Sequence, residues 1–224
     1  NNKDQTYFLC QLNQNQLNNS LFPIGELTKP EVRQIAEELD LPVAHKKDST
    51  GICFIGERDF REFLKNYIPA KSGKMVDIVS KKVIGEHQGI MYYTIGQRKG
   101  LGIGGNGEPW FVVGKDYDKN ILYIAQGDSN KWLLSHGALI TDVNWISATK
   151  PEGEYDCTAK FRYRQKDNDV SLHFIDETTL YVTFKKPIKA VTPGQAAVFY
   201  DGDVCLGGGT IDKVYKDGKE IDYL

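Results

Sequence analysis

The last ninety residues limit the fold most tightly. Short runs rich in β-branched and aromatic residues succeed one another: Ala138 to Trp145, Tyr155 to Gln165, Val170 to Ile175, Leu180 to Phe184, Gln195 to Tyr200, Val204 to Leu206 and Gly208 to Val214. Turn pairs such as Pro193-Gly194 and Asp201-Gly202 separate them. Many short strands at this spacing predict a small closed antiparallel β-barrel over residues 135–224.

The stretch before it reads differently. Lys74 to Val79 and Lys82 to Gly85 predict a hairpin, and Trp110 to Val113 and Ile121 to Ala125 two further strands around an Asp118-Lys119-Asn120 turn. Gly89 to Ile95 is ambiguous between helix and strand. Residues 69–134 are thus expected to form a small central β-rich domain. Residues 1–68 read as helical. Thr28-Lys29-Pro30-Glu31 is a capping box, followed by Val32, Ile35, Ala36 and Leu39 at helical spacing and a stop before Pro42. A second box, Asp59 to Glu62, opens a helix that ends at Pro69. The fold class expected is mixed α and β.

Composition narrows function. With 224 residues, 40% hydrophobic and 26% charged, the chain can bury a real core. A net charge of −2 supplies no global basic field, so nucleic-acid binding would have to rest on local patches. Four cysteines, Cys10, Cys53, Cys157 and Cys205, are too sparse for a disulfide scaffold. There is no C-x-x-C pair and the four histidines are scattered, which argues against a metal site. The absence of an apolar run near 18 residues argues against a membrane partner and for a cytoplasmic location. The chain opens Asn1-Asn2-Lys3-Asp4 without methionine, as a piece of a longer or processed chain would. Tyr7-Phe8-Leu9 then calls for cover.

Three constellations could carry chemistry. Cys53 lies between Gly51 and Gly56 on the connection between the two capped helices, with Lys46, Lys47, Arg58 and Arg61 around it. Cations favour the thiolate, the nucleophilic form; the plainer reading is a small buried apolar residue. Lys160, Arg162, Arg164 and Lys166 alternate with Phe161, Tyr163 and Gln165. On a strand these cations would share one face about 6.6 Å apart. They would be either a solvated face over packed aromatics or a rail for nucleic-acid phosphates. Gly96 to Gly105 lacks the G-x-x-x-x-G-K-[ST] spacing of a phosphate loop; it reads as a structural loop or a basic one, through Arg98 and Lys99, that docks on a backbone. Cys10, Cys157 and Cys205 read as packing residues.

Long motifs run in order over nearly the whole chain: Lys3 to Leu9, Leu21-Phe22-Pro23-Ile24-Gly25, Lys47 to Gly56, Gly85 to Gly89, Thr94 to Gly105, Arg162-Tyr163-Arg164-Gln165 and Thr192-Pro193-Gly194-Gln195. Together they resemble the tRNA-specific 2-thiouridylases of the MnmA type. The resemblance implies replacement of the wobble uridine's 2-oxygen (position 34) by sulfur, using ATP with Mg and a persulfide. It implies that Cys53 carries the persulfide and that Lys3, Asp4, Gln5, Arg162, Tyr163 and Gln195 contact tRNA; the charge pattern alone adds Arg98, Lys99, Lys160 and Arg164 as candidate tRNA-backbone contacts. It implies tRNA, through its anticodon loop and stem, and a sulfur donor (a cysteine desulfurase or sulfur-relay protein) as partners.

The family's S-G-G-x-D-S-type loop and second catalytic cysteine are not in this sequence. By resemblance, then, the chain is the C-terminal part: the helical tail of an α/β catalytic domain, the central domain and a barrel like the second domain of elongation factor Tu. Such a part would bind no ATP and would be inactive alone. Two other readings remain. The chain could be a tRNA-docking module with Cys53 idle, or a redox protein using Cys53 as a sensor thiol.

Overall fold

In the computed structural model, residues 5–46, 63, 66–147 and 150–221 are described. The chain divides into two compact units, residues 1–14 with 70–224, and residues 15–69.

The regular elements described in the smaller unit are helices joined by turns. Helix α1 (Thr6–Leu9) belongs to the larger unit; α2 (Gln14–Asn18) and α3 (Lys29–Glu38) follow it. The predicted capping box forms, with the Thr28 backbone N–H donating to the Glu31 carboxylate at 2.6 Å. Helix α3 ends in a Schellman motif: Leu41 N–H bonds the Ala36 carbonyl at 2.9 Å and Asp40 N–H the Glu37 carbonyl at 3.0 Å. Asp40 takes the left-handed conformation (φ 48°) that such a cap requires, and Pro42 then prevents continuation. The second capping box, Asp59 to Glu62, and the Cys53 loop lie outside the described residues.

The larger unit is almost entirely β. Strands β1 (Gly73–Asp77), β2 (Val83–His87), β3 (Trp110–Asp116) and β4 (Ile121–Gln126) form a sheet in the order β2-β1-β4-β3. The β1–β2 hairpin is antiparallel, as expected, while β1 pairs with β4 in parallel, Met75 opposite Leu122. The ambiguous segment becomes a 3₁₀ turn, Ile90–Tyr92. Met75, Val112, Leu122 and Ile124 are fully buried beneath it.

The barrel is built from β5 (Leu134–Trp145), β6 (Glu154–Lys160), β7 (Asn168–Phe174), β8 (Leu180–Lys189), β9 (Ala196–Asp201) and β10 (Val204–Lys216). Its order is β10-β5-β8-β7-β6-β9, and β9 pairs back with β10, which closes six strands and leaves no open edge among them. Phe161, Phe184, Phe199, Leu172 and Ile211 fill the interior. A short β11 (Lys219–Glu220) pairs on the outside with the end of β10.

Two strand expectations need correction. The predicted break at Gly207 is absent; β10 runs through as one strand of 13 residues, with a register shift between Cys205 and Gly207. The glycine serves close approach: a Cβ on Gly207 would lie 2.1 Å from the Asn144 carbonyl oxygen of β5. The predicted strand from Tyr155 to Gln165 stops at Lys160. Gln165 N–H bonds back to the Arg162 carbonyl at 3.1 Å and Arg164 adopts φ 65°, so the chain turns there.

Candidate nucleic-acid interface

The turn after β6 dismantles the expected row of four cations. Lys160, the last strand residue, pairs with Asp167 at 3.1 Å and lies 4.3 Å from the centre of the Tyr200 ring. Arg162 reaches toward the central sheet, where its guanidinium donates to the Ile95 carbonyl and, at 3.4 Å, approaches the Thr192 hydroxyl. Only Arg164 and Lys166 are exposed. The four charges therefore do not form one rail. Alternation beyond the barrel wall reflected a change of role at each residue, not a continuing strand.

What forms instead is a patch from three distant segments. Helix α1 lies on the outer wall of the barrel with Tyr7 and Cys10 buried against Val198 and Tyr200. The Tyr7 hydroxyl donates to the Ala196 carbonyl at 2.9 Å. Asn144 donates to the carbonyls of both Cys10 and Leu12 at 2.9 Å, and Gln11 donates to Gly208 at 3.2 Å. Burial pushes the Tyr7 phenol up to about 12, the charge of Cys10 adding to it and Arg162 opposing it. Tyr7 is thus a neutral anchor at any physiological pH.

That anchoring sets the neighbours. Gln5, at the N-cap of α1, is exposed. Phe8 packs on Tyr163 with ring centres 4.6 Å apart, and Tyr163 also lies 6.0 Å from Tyr7. Gln195 is exposed in the Thr192–Gln195 turn, where its backbone is pinned by Ile211 N–H bonding to its carbonyl at 2.8 Å. Ala196, next along, is the residue that accepts from Tyr7. Gln5, Tyr163 with Arg162, and Gln195 thus gather around one aromatic anchor. Composition gave no reason to single out Gln195 or to separate Phe8 from Tyr7.

The glycine loop is tied to this patch through Arg162. A Cβ on Gly96 would stand 2.5 Å from the Ala190 Cβ and 3.3 Å from an Arg162 guanidinium nitrogen, so the loop passes where only glycine fits. Arg98 and Lys99, two and three residues on, are exposed. Arg98 lines a groove of about 430 Å³ with Gly100–Gly105 and Trp110.

Burial also raises the thiol values of Cys10 and of Cys157, the latter to about 12 with Asp201 and Asp156 adding to the effect. Both are held as thiols, which suits packing and not nucleophilic chemistry. Lys3, Asp4 and Cys53 lie outside the described residues. Among the described residues, no group of three or more His, Cys, Asp or Glu is placed to hold a metal ion. No described helix is long and apolar enough to cross a membrane.

Three family models match in succession along the chain: a tRNA methyl transferase HUP domain at residues 1–57, a tRNA methyl transferase PRC-barrel domain at 61–126 and an aminomethyltransferase beta-barrel domain at 135–211. The chain is 59% identical over 223 residues to the tRNA-specific 2-thiouridylase MnmA of Bacillus cytotoxicus, and equally so to the proteins of that name from Bacillus cereus and Bacillus mycoides. The chain belongs to the tRNA-specific 2-thiouridylase family. It is matched over its full length but spans only 60% of the length of these relatives. The third model covers most of the six-stranded barrel, and Arg162, Tyr163 and Gln195 fall within its span.

Proposed function

We propose that this chain supplies the tRNA-engaging surface and the sulfur-carrying cysteine of a tRNA 2-thiouridylase. The observation that carries the reading is the gathering of Gln5, Tyr163 and Gln195, separated by as many as 190 positions, around the buried Tyr7. The 59% identity to 2-thiouridylases supplies the chemistry. In this reading, Gln5 and Gln195 offer amides to base edges or sugar hydroxyls, Tyr163 a ring face, and Arg164, Arg98, Lys99 and the tRNA-contacting Lys3 and Asp4 segment border the RNA backbone. Arg162 serves the tRNA by holding the Gly96 loop to the barrel turn. Lys160, already paired with Asp167, contributes least.

Cys53 is the residue proposed to carry the persulfide. ATP with Mg activates the uridine 2-oxygen in the whole enzyme, and a cysteine desulfurase or sulfur-relay protein loads the sulfur. The uridine oxygen is a poor leaving group until adenylated; the outer persulfide sulfur on Cys53 then attacks the activated carbon and AMP leaves. A second cysteine thiol of the whole enzyme takes the Cys53 sulfur as a disulfide, which breaks the S–S bond and frees the thiolated base. The described residues present no phosphate loop, so no step is assigned to them in nucleotide binding. The site of action is cytoplasmic, where the thiol stays reduced. Residues 1–68, 69–134 and 135–224 are the functional domains of this reading.

The test is binding of unmodified tRNA to the 224-residue chain across a salt series. The reading predicts affinity that falls as salt rises, with a slope set by the few phosphate contacts. Absence of tRNA binding at low salt contradicts it. In a protein of the relatives' full length, Cys53→Ser is expected to abolish 2-thiolation while leaving tRNA binding intact; retained thiolation would leave only the docking reading.

A further inference from the structure

Phe8 is the one large aromatic side chain of α1 that the barrel leaves uncovered: it is 61% exposed, whereas Tyr7 beside it is 7% exposed. Its position is not a matter of slack. The flanking chain is fastened to the barrel by the Tyr7 hydroxyl, by Gln11, by Gln14 bonding the Ile146 carbonyl at 2.6 Å and by the two bonds from Asn144. One side of the Phe8 ring rests on Tyr163 at 4.6 Å, and Tyr7 meets it edge-on at 5.4 Å. Much of the ring is left facing outward. A rigid aromatic with an open face, backed by a second aromatic, is what a sequence-tolerant platform for unpaired bases needs, because every base has a π-face.

The cation beside it is placed at a backbone cost. Arg164 holds φ 65°, a conformation that L-residues other than Asn and Asp seldom adopt. The turn puts its guanidinium 5.6 Å from the centre of the Tyr163 ring. An exposed cation over the ring that backs Phe8 can meet the phosphate of a base stacked there, and Gln5 and Gln195 are exposed on the segments that flank Tyr7.

We propose that Phe8 and Tyr163 form a stacking step for an unpaired RNA base, with Arg164 meeting the adjacent phosphate. This rests on the tRNA-binding reading above and adds to it the chemical moiety recognised and a residue, Phe8, to which the family resemblance gives no role of its own. It also predicts a preference: a looped-out or single-stranded base is accepted, while a duplex keeps its bases stacked inside and cannot use the step.

The experiment uses the 224-residue chain with two RNAs, an anticodon stem-loop carrying 2-aminopurine at successive loop positions and a fully paired duplex of the same length. Affinity and fluorescence quenching on binding are both read. For the unchanged chain, one loop position is expected to quench strongly. Phe8→Leu keeps an apolar side chain of similar size but removes the π-face; it should weaken loop binding about ten-fold, abolish the quench and leave duplex affinity unchanged. Phe8→Trp should retain both affinity and quench. If Phe8→Leu binds and quenches like the unchanged chain, the stacking step is wrong while tRNA binding stands. If it weakens loop and duplex alike, Phe8 acts on the fold and the proposal is again wrong. If the unchanged chain binds neither RNA at low salt, the tRNA-binding reading falls and this proposal with it. Binding of a proline-rich peptide to the patch in preference to the loop RNA would reassign it to protein recognition.

Discussion

Phe161 and Tyr163 are two positions apart and do opposite work. Phe161 is fully buried in the barrel, its ring 4.8 Å from Phe184. Tyr163 lies outside the wall with Phe8. The same aromatic alternation therefore feeds a sealed interior and an open surface, and the switch is the turn that follows Lys160. Interiors reward volume and shape, since any void or overlap is felt at once. Surfaces that bind reward placement, and here placement is obtained with a strained arginine and a helix pinned by side-chain bonds to the barrel's backbone.

Stability and binding should accordingly separate along this line. The largest effect is expected inside: Phe161→Ala should destabilise the chain by about 3–5 kcal/mol in denaturant unfolding, because a large aromatic leaves a cavity against Phe184. Gly207→Ala should cost about 1–3 kcal/mol, since the added methyl meets the Asn144 carbonyl at 2.1 Å and the β5–β10 seam must shift. Arg162→Ala falls at the boundary and should cost about 1–3 kcal/mol by leaving the Ile95 carbonyl unpaired, with tRNA affinity lowered as well. Outside the wall, Arg164→Gly should leave stability within about 1 kcal/mol. Relief of the left-handed strain offsets the greater freedom of glycine in the unfolded chain. Its salt slope for RNA binding should nonetheless drop by about 0.7–0.9, one phosphate contact. Equal stability losses for Arg162→Ala and Arg164→Gly would erase the distinction between strut and contact.

A smaller effect concerns the central sheet. His87 is fully buried, its Nδ1 accepting from Gly89 N–H at 3.2 Å and its Nε2 lying 3.1 Å from the Asn120 carbonyl. Burial holds its pKa below the ordinary histidine value, with the Asn120 bond opposing. The unfolded chain therefore binds a proton that the folded one refuses. Stability should be full above pH about 6.5 and fall as acid is added below it, by no more than about 1.4 kcal/mol per pH unit. His87→Gln should flatten that dependence in thermal unfolding measured against pH.

The barrel, both strand pairs of the central sheet and the capped helix α3 were legible because each is written in local patterns: alternation, turn pairs and a capping box. What escaped depends on long-range geometry. The run from Lys160 to Lys166 keeps strand-like alternation past the end of the wall, so pattern alone extended β6 too far. Gly207 and its neighbours looked like a break because the sequence does not reveal that another strand's backbone passes 2.1 Å from a missing methyl. Tyr7 and Phe8 are indistinguishable as letters, and only docking on Val198 and Tyr200 decides which is anchor and which is exposed. The role proposed for Gln195 came from family resemblance and from no local pattern; the structure adds that it is exposed next to Ala196, which accepts from Tyr7.

The central claim is that three segments remote in sequence act as one tRNA surface. Its most direct test compares tRNA affinity at low salt for the unchanged chain and for the combined variant Gln5→Ala, Tyr163→Ala, Gln195→Ala, with thermal unfolding to establish that the variant is folded. One lost stacking face and two lost hydrogen-bonding amides predict a loss of about thirty-fold or more. A folded triple variant that binds tRNA as tightly as the unchanged chain would contradict the account.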